Sequence, residues 1–223
     1  MRTSSYSRSL GSRAWVAGWV AALGLLASRP LDAGQVRPVG LEEMARRAER
    51  IFSGRCVGTR VEPDPQLGLD VTQVTFAVDR AIKGVAGRTL TVRVLGASVA
   101  PGATGREGFD ALRFAPGERV VLFLYADSAL GLTSPVGLGQ GKFSVFKDKT
   151  GRDMAVNALG NRNLLGGRAS ESRARLHGAL AQWDGESGLS PNTLLDGARD
   201  LLAFEETTSP GRDVRRSGRG GRR

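Results

Sequence analysis

The stretch "VTQVTFAVDRAIKG" alternates apolar and polar positions: Val74, Phe76, Val78 and Ile82 fall on one side, Gln73, Thr75 and Asp79 on the other. A period of two built from β-branched and aromatic residues predicts a half-buried strand. "RTLTVRVLG" repeats the pattern with Leu90, Val92 and Val94, and the short "GVAG" between the two stretches predicts a hairpin. Upstream, "IFSGRCVGTRV" reads as a further strand and "EPDPQLG" as a turn, by its prolines and glycine. "VVLFLY", residues 120–125, is an uninterrupted apolar run, which predicts a central strand covered on both faces. "KFSVFKDKTGRDMAV" predicts a second hairpin, turning at Asp148 to Gly151.

The period lengthens at three places. "LEEMARRAERIF" puts Leu41, Met44, Ala45 and Ala48 on one helical face. "SPNTLLDGARDLLAF" supplies Ser190 as a cap and Pro191 at the first helical position, with Leu194, Leu195, Ala198, Leu201 and Leu202 as its apolar face. A third helix is expected in "SESRARLHGALAQW". The pattern breaks over residues 97–118, rich in Gly, Pro and Ala, and that loop is a candidate contact element. Strands flanked by helices predict an α+β fold, mainly β, built on a small antiparallel barrel.

"VGLGQGKFSVF", residues 136–146, places Gly137, Gly139 and Gly141 at alternate positions. A Walker loop would need glycine at position 136, which is Val136, and a hydroxyl after Lys142, where Phe143 stands. A dinucleotide fingerprint would need a third glycine where Lys142 stands. The pattern instead predicts a bent strand whose bare face approaches another backbone, or a ligand.

The formal charge of +10 sits mostly at the ends. Residues 1–33 carry four arginines against Asp32, and residues 209–223 carry six, Arg212, Arg215, Arg216, Arg219, Arg222 and Arg223, against Asp213. A basic opening, the uncharged apolar stretch 14–27 and the small residue Ala33 have the plan of a secretory signal peptide. A retained anchor or a buried helix are the alternatives. The expected organisation is a leader at 1–33, a folded body at 34–208 and a disordered basic tail at 209–223.

Candidate chemistry is sparse. Cys56 is the single cysteine, so no intramolecular disulfide can form, and a thiol inside a strand is expected to pack as a small hydrophobe. His177 is the single histidine, expected on a surface helix near Arg173, Arg175 and Trp183. Asp64, Asp70 and Asp79 do not have calcium-loop spacing. Without a nucleophile–base–orienter set or a ligand cluster, the expectation is a non-enzymatic protein with no cofactor and no metal.

The order "AERIFSGRCVGTRVE … VTFAVDRAIKGVAGRTLTVRV … FAPGERVVLFLY" resembles the bacterial secreted branch of the netrin-like and tissue-inhibitor-of-metalloproteinase-like family. Ala48, Gly54, Val74, Phe76, Val78, Lys83, Gly84, Gly117, Glu118 and Arg119 carry the resemblance; Glu49 and Cys56 depart from it. It covers roughly residues 45–156 and implies an OB-like barrel. Inhibitors of that family chelate a protease zinc through a disulfide-fixed N-terminal cysteine, which this chain cannot supply.

The expectation is therefore a secreted or periplasmic interaction module, contacting another protein or anionic cell-envelope material through its tail arginines and the 97–118 loop. A secreted metalloprotease is a further candidate partner, through some other surface. The alternative is single-stranded nucleic-acid binding by the barrel and the arginine–glycine tail. Export argues against that alternative, as does a strand face of Gln73, Thr75 and Asp79 in place of stacking aromatics.

Overall fold

Long alternating segments make the frame. In the computed structural model, β1 (Arg50–Asp64) and β2 (Leu69–Lys83) form an antiparallel hairpin of fifteen residues a side. The structure describes residues 37–96, 113–166, 174, 176–183 and 188–208, and all the elements named here belong to the compact unit Pro38–Arg223. The expected leader, most of the 97–118 loop and the basic tail lie outside the described residues.

The strand β1 runs further than expected, through Glu62, Pro63 and Asp64, so the turn is confined to the residues between it and β2. Pro63 lacks an N–H, but β1 pairs with β4 over residues 50–55, and among the described residues its distal half has no ladder on that side. Asp64 closes the turn by accepting from the Gln66 and Leu67 amides at 2.9 and 3.2 Å.

The remaining strands are β3 (Thr89–Leu95), β4 (Arg119–Leu124), β5 (Lys142–Lys147) and β6 (Asp153–Asn157). They form one six-stranded antiparallel sheet in the order β3-β2-β1-β4-β5-β6. The sheet is open, where a closed barrel was expected. No β3–β6 ladder joins its ends among the described residues. At the β3 edge a single bridge links Arg93 to Leu132, and on β4 another links Leu124 to Pro135. At the other edge a single bridge links Ala155 of β6 to Leu189.

Helices α1 (Leu41–Arg47) and α3 (Pro191–Thr208) and the short α2 (Gly178–Ala181) complete the fold. The middle helix is shorter in its described part than the sequence predicts, and His177 stands immediately before it. The Ser190 hydroxyl caps α3 by accepting from the Thr193 amide at 3.0 Å.

Alternation on β4 divides the core. Val121 and Phe123 face a cluster shared with Leu41, Met44, Leu194 and Leu195 of the helices. Val120, Leu122 and Leu124 face a second cluster with Phe52, Cys56, Val74 and Phe76. The run "VVLFLY" is apolar because both faces of this strand are covered. Val74 and Phe76 are fully buried and Val78 packs half-buried on the same cluster, but Ile82 packs on the helical cluster instead. Irregular register along β1, at Ile51/Phe52, Ser53/Gly54 and Cys56/Gly58, lets one hairpin serve both cores.

The alternating glycines do not form a bent strand. Gly137 takes the left-handed conformation at φ 64°, residues Leu138–Gln140 make a single 3-10 turn, and β5 begins only at Lys142. The close backbone approach is real at Gly141, where a Cβ would stand 2.5 Å from the Val136 carbonyl oxygen and 3.0 Å from that of Phe123. Gly137 is thus dictated by its φ and Gly141 by lack of space.

Candidate functional site

The bend that splits the core also shapes the surface. At Gly54 a Cβ would lie 2.5 Å from the Ala77 carbonyl oxygen, so β1 and β2 press together there and the sheet turns. Beside the turn opens a groove of about 860 Å³. Its wall is assembled from Gly54 and Arg55 on β1, Asp79 and Arg80 on β2, Arg119 on β4, Arg152 and Asp153 around the start of β6, and Ser190–Asn192 where α3 begins. Val145 and Pro191 supply half-buried apolar surface over the sealed Val120.

Four guanidiniums face two carboxylates in this lining. Three of the four are engaged. Arg119 donates two bonds to Asp153, at 2.7 and 2.8 Å, and Lys147 reaches the same carboxylate at 2.9 Å. Arg80 spans from β2 to α3, donating to Asp196 at 2.5 Å and Asn192 at 3.3 Å. Arg152 donates its Nε to Asp148 at 3.1 Å, within the β5–β6 turn. The Arg119 hydrogen bonds, and then that of Lys147, hold the Asp153 carboxyl well below the usual carboxylate range, while Asp153 raises the Arg119 guanidinium. The two groups are therefore fixed in their charged forms.

Arg55 is different. It is exposed and has no hydrogen-bond or ion-pair partner among the described residues. Its cross-strand partner on β4 is Arg119, another cation. Like charges directly opposite on adjacent strands oppose pairing, so this position is not set by sheet stability. Asp79 is likewise exposed and, among the described residues, without a hydrogen bond; it acts on Arg119 only through space. The groove can accept acceptor-rich, negatively charged groups at Arg55 and on the free Nη atoms of Arg152. One carboxylate remains to exclude or to pair.

None of the binding or structural site residues expected from the sequence lines this groove, although Gly54, Asp79, Arg119, Ser190 and Pro191, noted there for other reasons, do. Arg212, Arg215, Arg216, Arg219, Arg222 and Arg223 lie outside the described residues. Gly137, Gly139 and Gly141 belong to the turn before β5, and Val74, Phe76 and Val78 to the inner core. Cys56 is buried in that core, where desolvation pushes its thiol pKa up. His177 is 85% exposed and stands 3.5 Å from Asp200. The groove residues carry one weak sequence signal: Arg55 and Arg80 interrupt otherwise well-patterned strands with long cationic side chains. Their convergence depends on strand register, which spacing alone does not give.

Among the described residues no group of three or more His, Cys, Asp and Glu is arranged to hold a metal ion, and no helix is long and apolar enough to cross a membrane. Comparison with family models, with curated proteins and with solved structures found no match to the chain.

Proposed function

We propose that the chain is an exported, non-enzymatic interaction module whose body contacts an anionic partner through the arginine groove. One observation carries the reading: guanidiniums from separate strands and a turn converge on one concave surface, with Arg55 left without a partner. The groove lining holds neither histidine nor cysteine; of its two serines, Ser190 is committed to capping α3 and Ser53 has no imidazole in the lining to act as its base. Contact rather than covalent chemistry is what such a lining supports. The single bridges at Arg93/Leu132 and Leu124/Pro135 support an OB-like sheet whose loop 125–141 draws β3 toward β4. The netrin-like resemblance belongs with this reading. The basic opening and apolar stretch 14–27 support export, and the six tail arginines would add long-range attraction.

The test is elution from a sulfated, heparin-like resin by rising salt. The chain is purified from the extracytoplasmic fraction, with its first residue read by mass spectrometry. Expected are a start near Gly34 and earlier elution for both Arg55→Glu and a chain lacking residues 209–223, with unchanged melting temperatures. Exposed charge contacts weaken over a Debye length of ~8 Å at physiological ionic strength, so both shifts should shrink as salt rises. Elution of Arg55→Glu with the parent protein would remove the groove from the proposal, and a chain retaining Met1 in the cytoplasm would remove export.

A further inference from the structure

The groove's lining is mixed in a way that narrows its partner. Beside the cationic Arg55 and Arg152 it presents apolar surface, Val145 and Pro191, and one unpaired carboxylate, Asp79. Its volume of about 860 Å³ far exceeds the room an isolated oxyanion needs, a single water in the liquid taking ~30 Å³. A uniformly anionic polymer would meet Asp79 as a repulsive neighbour and leave Val145 and Pro191 unused. A polypeptide segment suits all three features. Its carboxylates would accept from Arg55 and Arg152, an aliphatic side chain would lie on Val145 and Pro191, and a backbone amide or lysine would donate to Asp79. Selection then comes from the one group that disfavours the competing ligands.

We infer that the groove takes an acidic, amphipathic peptide segment of a protein partner, with Arg55 as the main anchor and Asp79 as the residue that discriminates against plain polyanions. The inference rests on the groove-contact reading above and names the partner class for it. Arg152 is a secondary contact, because its Nε is held by Asp148 and its remaining donors are free to turn outward. The amino terminus of α3 adds a favourable potential at the groove's rim and no more, since Ser190 already takes its Thr193 amide.

The test is fluorescence anisotropy on the intact mature protein with three labelled ten-residue probes, one alternating Glu and Leu, one alternating Gln and Leu, and one all Glu. Inorganic phosphate and heparin serve as competitors. The Glu/Leu peptide should bind best. Arg55→Ala should weaken it about tenfold, as expected for losing a charge-assisted contact. Asp79→Asn should strengthen the all-Glu probe and heparin more than the Glu/Leu peptide. Arg55 and Asp79 are exposed and unpartnered, so both variants keep the fold, and their melting curves verify it. Heparin and phosphate binding that depends on Arg55, without binding of the Glu/Leu peptide, would overturn the peptide inference and leave the anion-contact reading standing. No Arg55-dependent binding of any probe would overturn both.

Discussion

Phe76 joins the three aromatic side chains of the inner core. Its ring lies 5.5 Å from Phe52 and 5.2 Å from Phe114, edge-on to both, and Lys142 stands 4.3 Å over the Phe114 ring. Edge-to-face pairs add ~0.5–1.5 kcal/mol to what area burial gives, so the Phe76 ring is held by geometry as well as by exclusion from water. Phe76→Ala should cost ~3–5 kcal/mol on denaturant titration, and a loss under ~1 kcal/mol would place the ring outside the core. Period-two alternation made this residue readable, because Val74 and Phe76 sit in an unbroken stretch of β2 paired residue for residue with β3. Arg55 was not readable in the same way. A single charged residue within a strand looks like any solvent-facing position, and only the register that sets it opposite Arg119 gives it meaning. Cys56 needed no register: a lone thiol amid apolar neighbours packs as a small hydrophobe.

Among the elements, β1 is the strand on which the rest depends. It pairs with β2 from Ile51 to Asp64 and with β4 along its first part, and its irregular register passes it from one core to the other. Gly54 sits at that passage. The space available for a Cβ there is blocked by the Ala77 backbone rather than by a yielding side chain. Gly54→Ala should therefore destabilise the protein by ~1–3 kcal/mol, the range for overpacking a closed site. It should also lower groove binding more than Phe76→Ala does at matched stability, because the bend sets the distance between Arg55 and Arg119. Equal stability of Gly54→Ala and parent protein in chemical denaturation would show that the strands are not in close approach there. The period of β1 was legible in the sequence and its bend was not. A register irregularity leaves the apolar count unchanged, and Gly54 is one glycine among 31. The glycines at 137, 139 and 141 misled for the same reason. Alternate spacing fits a strand, but a left-handed residue followed by a 3-10 turn uses the same glycines at both its ends.

At the scale of the whole molecule, the open sheet packs helices against one hydrophobic cluster, while the other is built from strand residues and Phe114. The groove arises where these two regimes meet, at the start of α3, and it is held in shape by ties that cross elements. Arg80 fastens β2 to α3, and Arg119 fastens β4 to β6. The hydrophobic pattern announced a mainly β body with terminal helices, since burial leaves its period in the chain. It did not announce whether the sheet closes, because closure depends on the β3 and β6 edges and on loop paths that carry no period. The charge count drew attention to the two termini, where arginines cluster in sequence. The groove's arginines, spread from 55 to 152, cluster only in space. The central claim is that this spatial cluster is where a partner is held. Proton–nitrogen correlation spectra of the arginine side chains, recorded during titration with the Glu/Leu peptide, test it most directly, with Arg55→Ala assigning the key resonance. The account predicts that the Arg55 Nε–H moves first and furthest and that Arg152 follows, while Arg60, on the distal half of β1, stays fixed. Shifts confined to the tail arginines, or spread evenly over all exposed arginines, would contradict it.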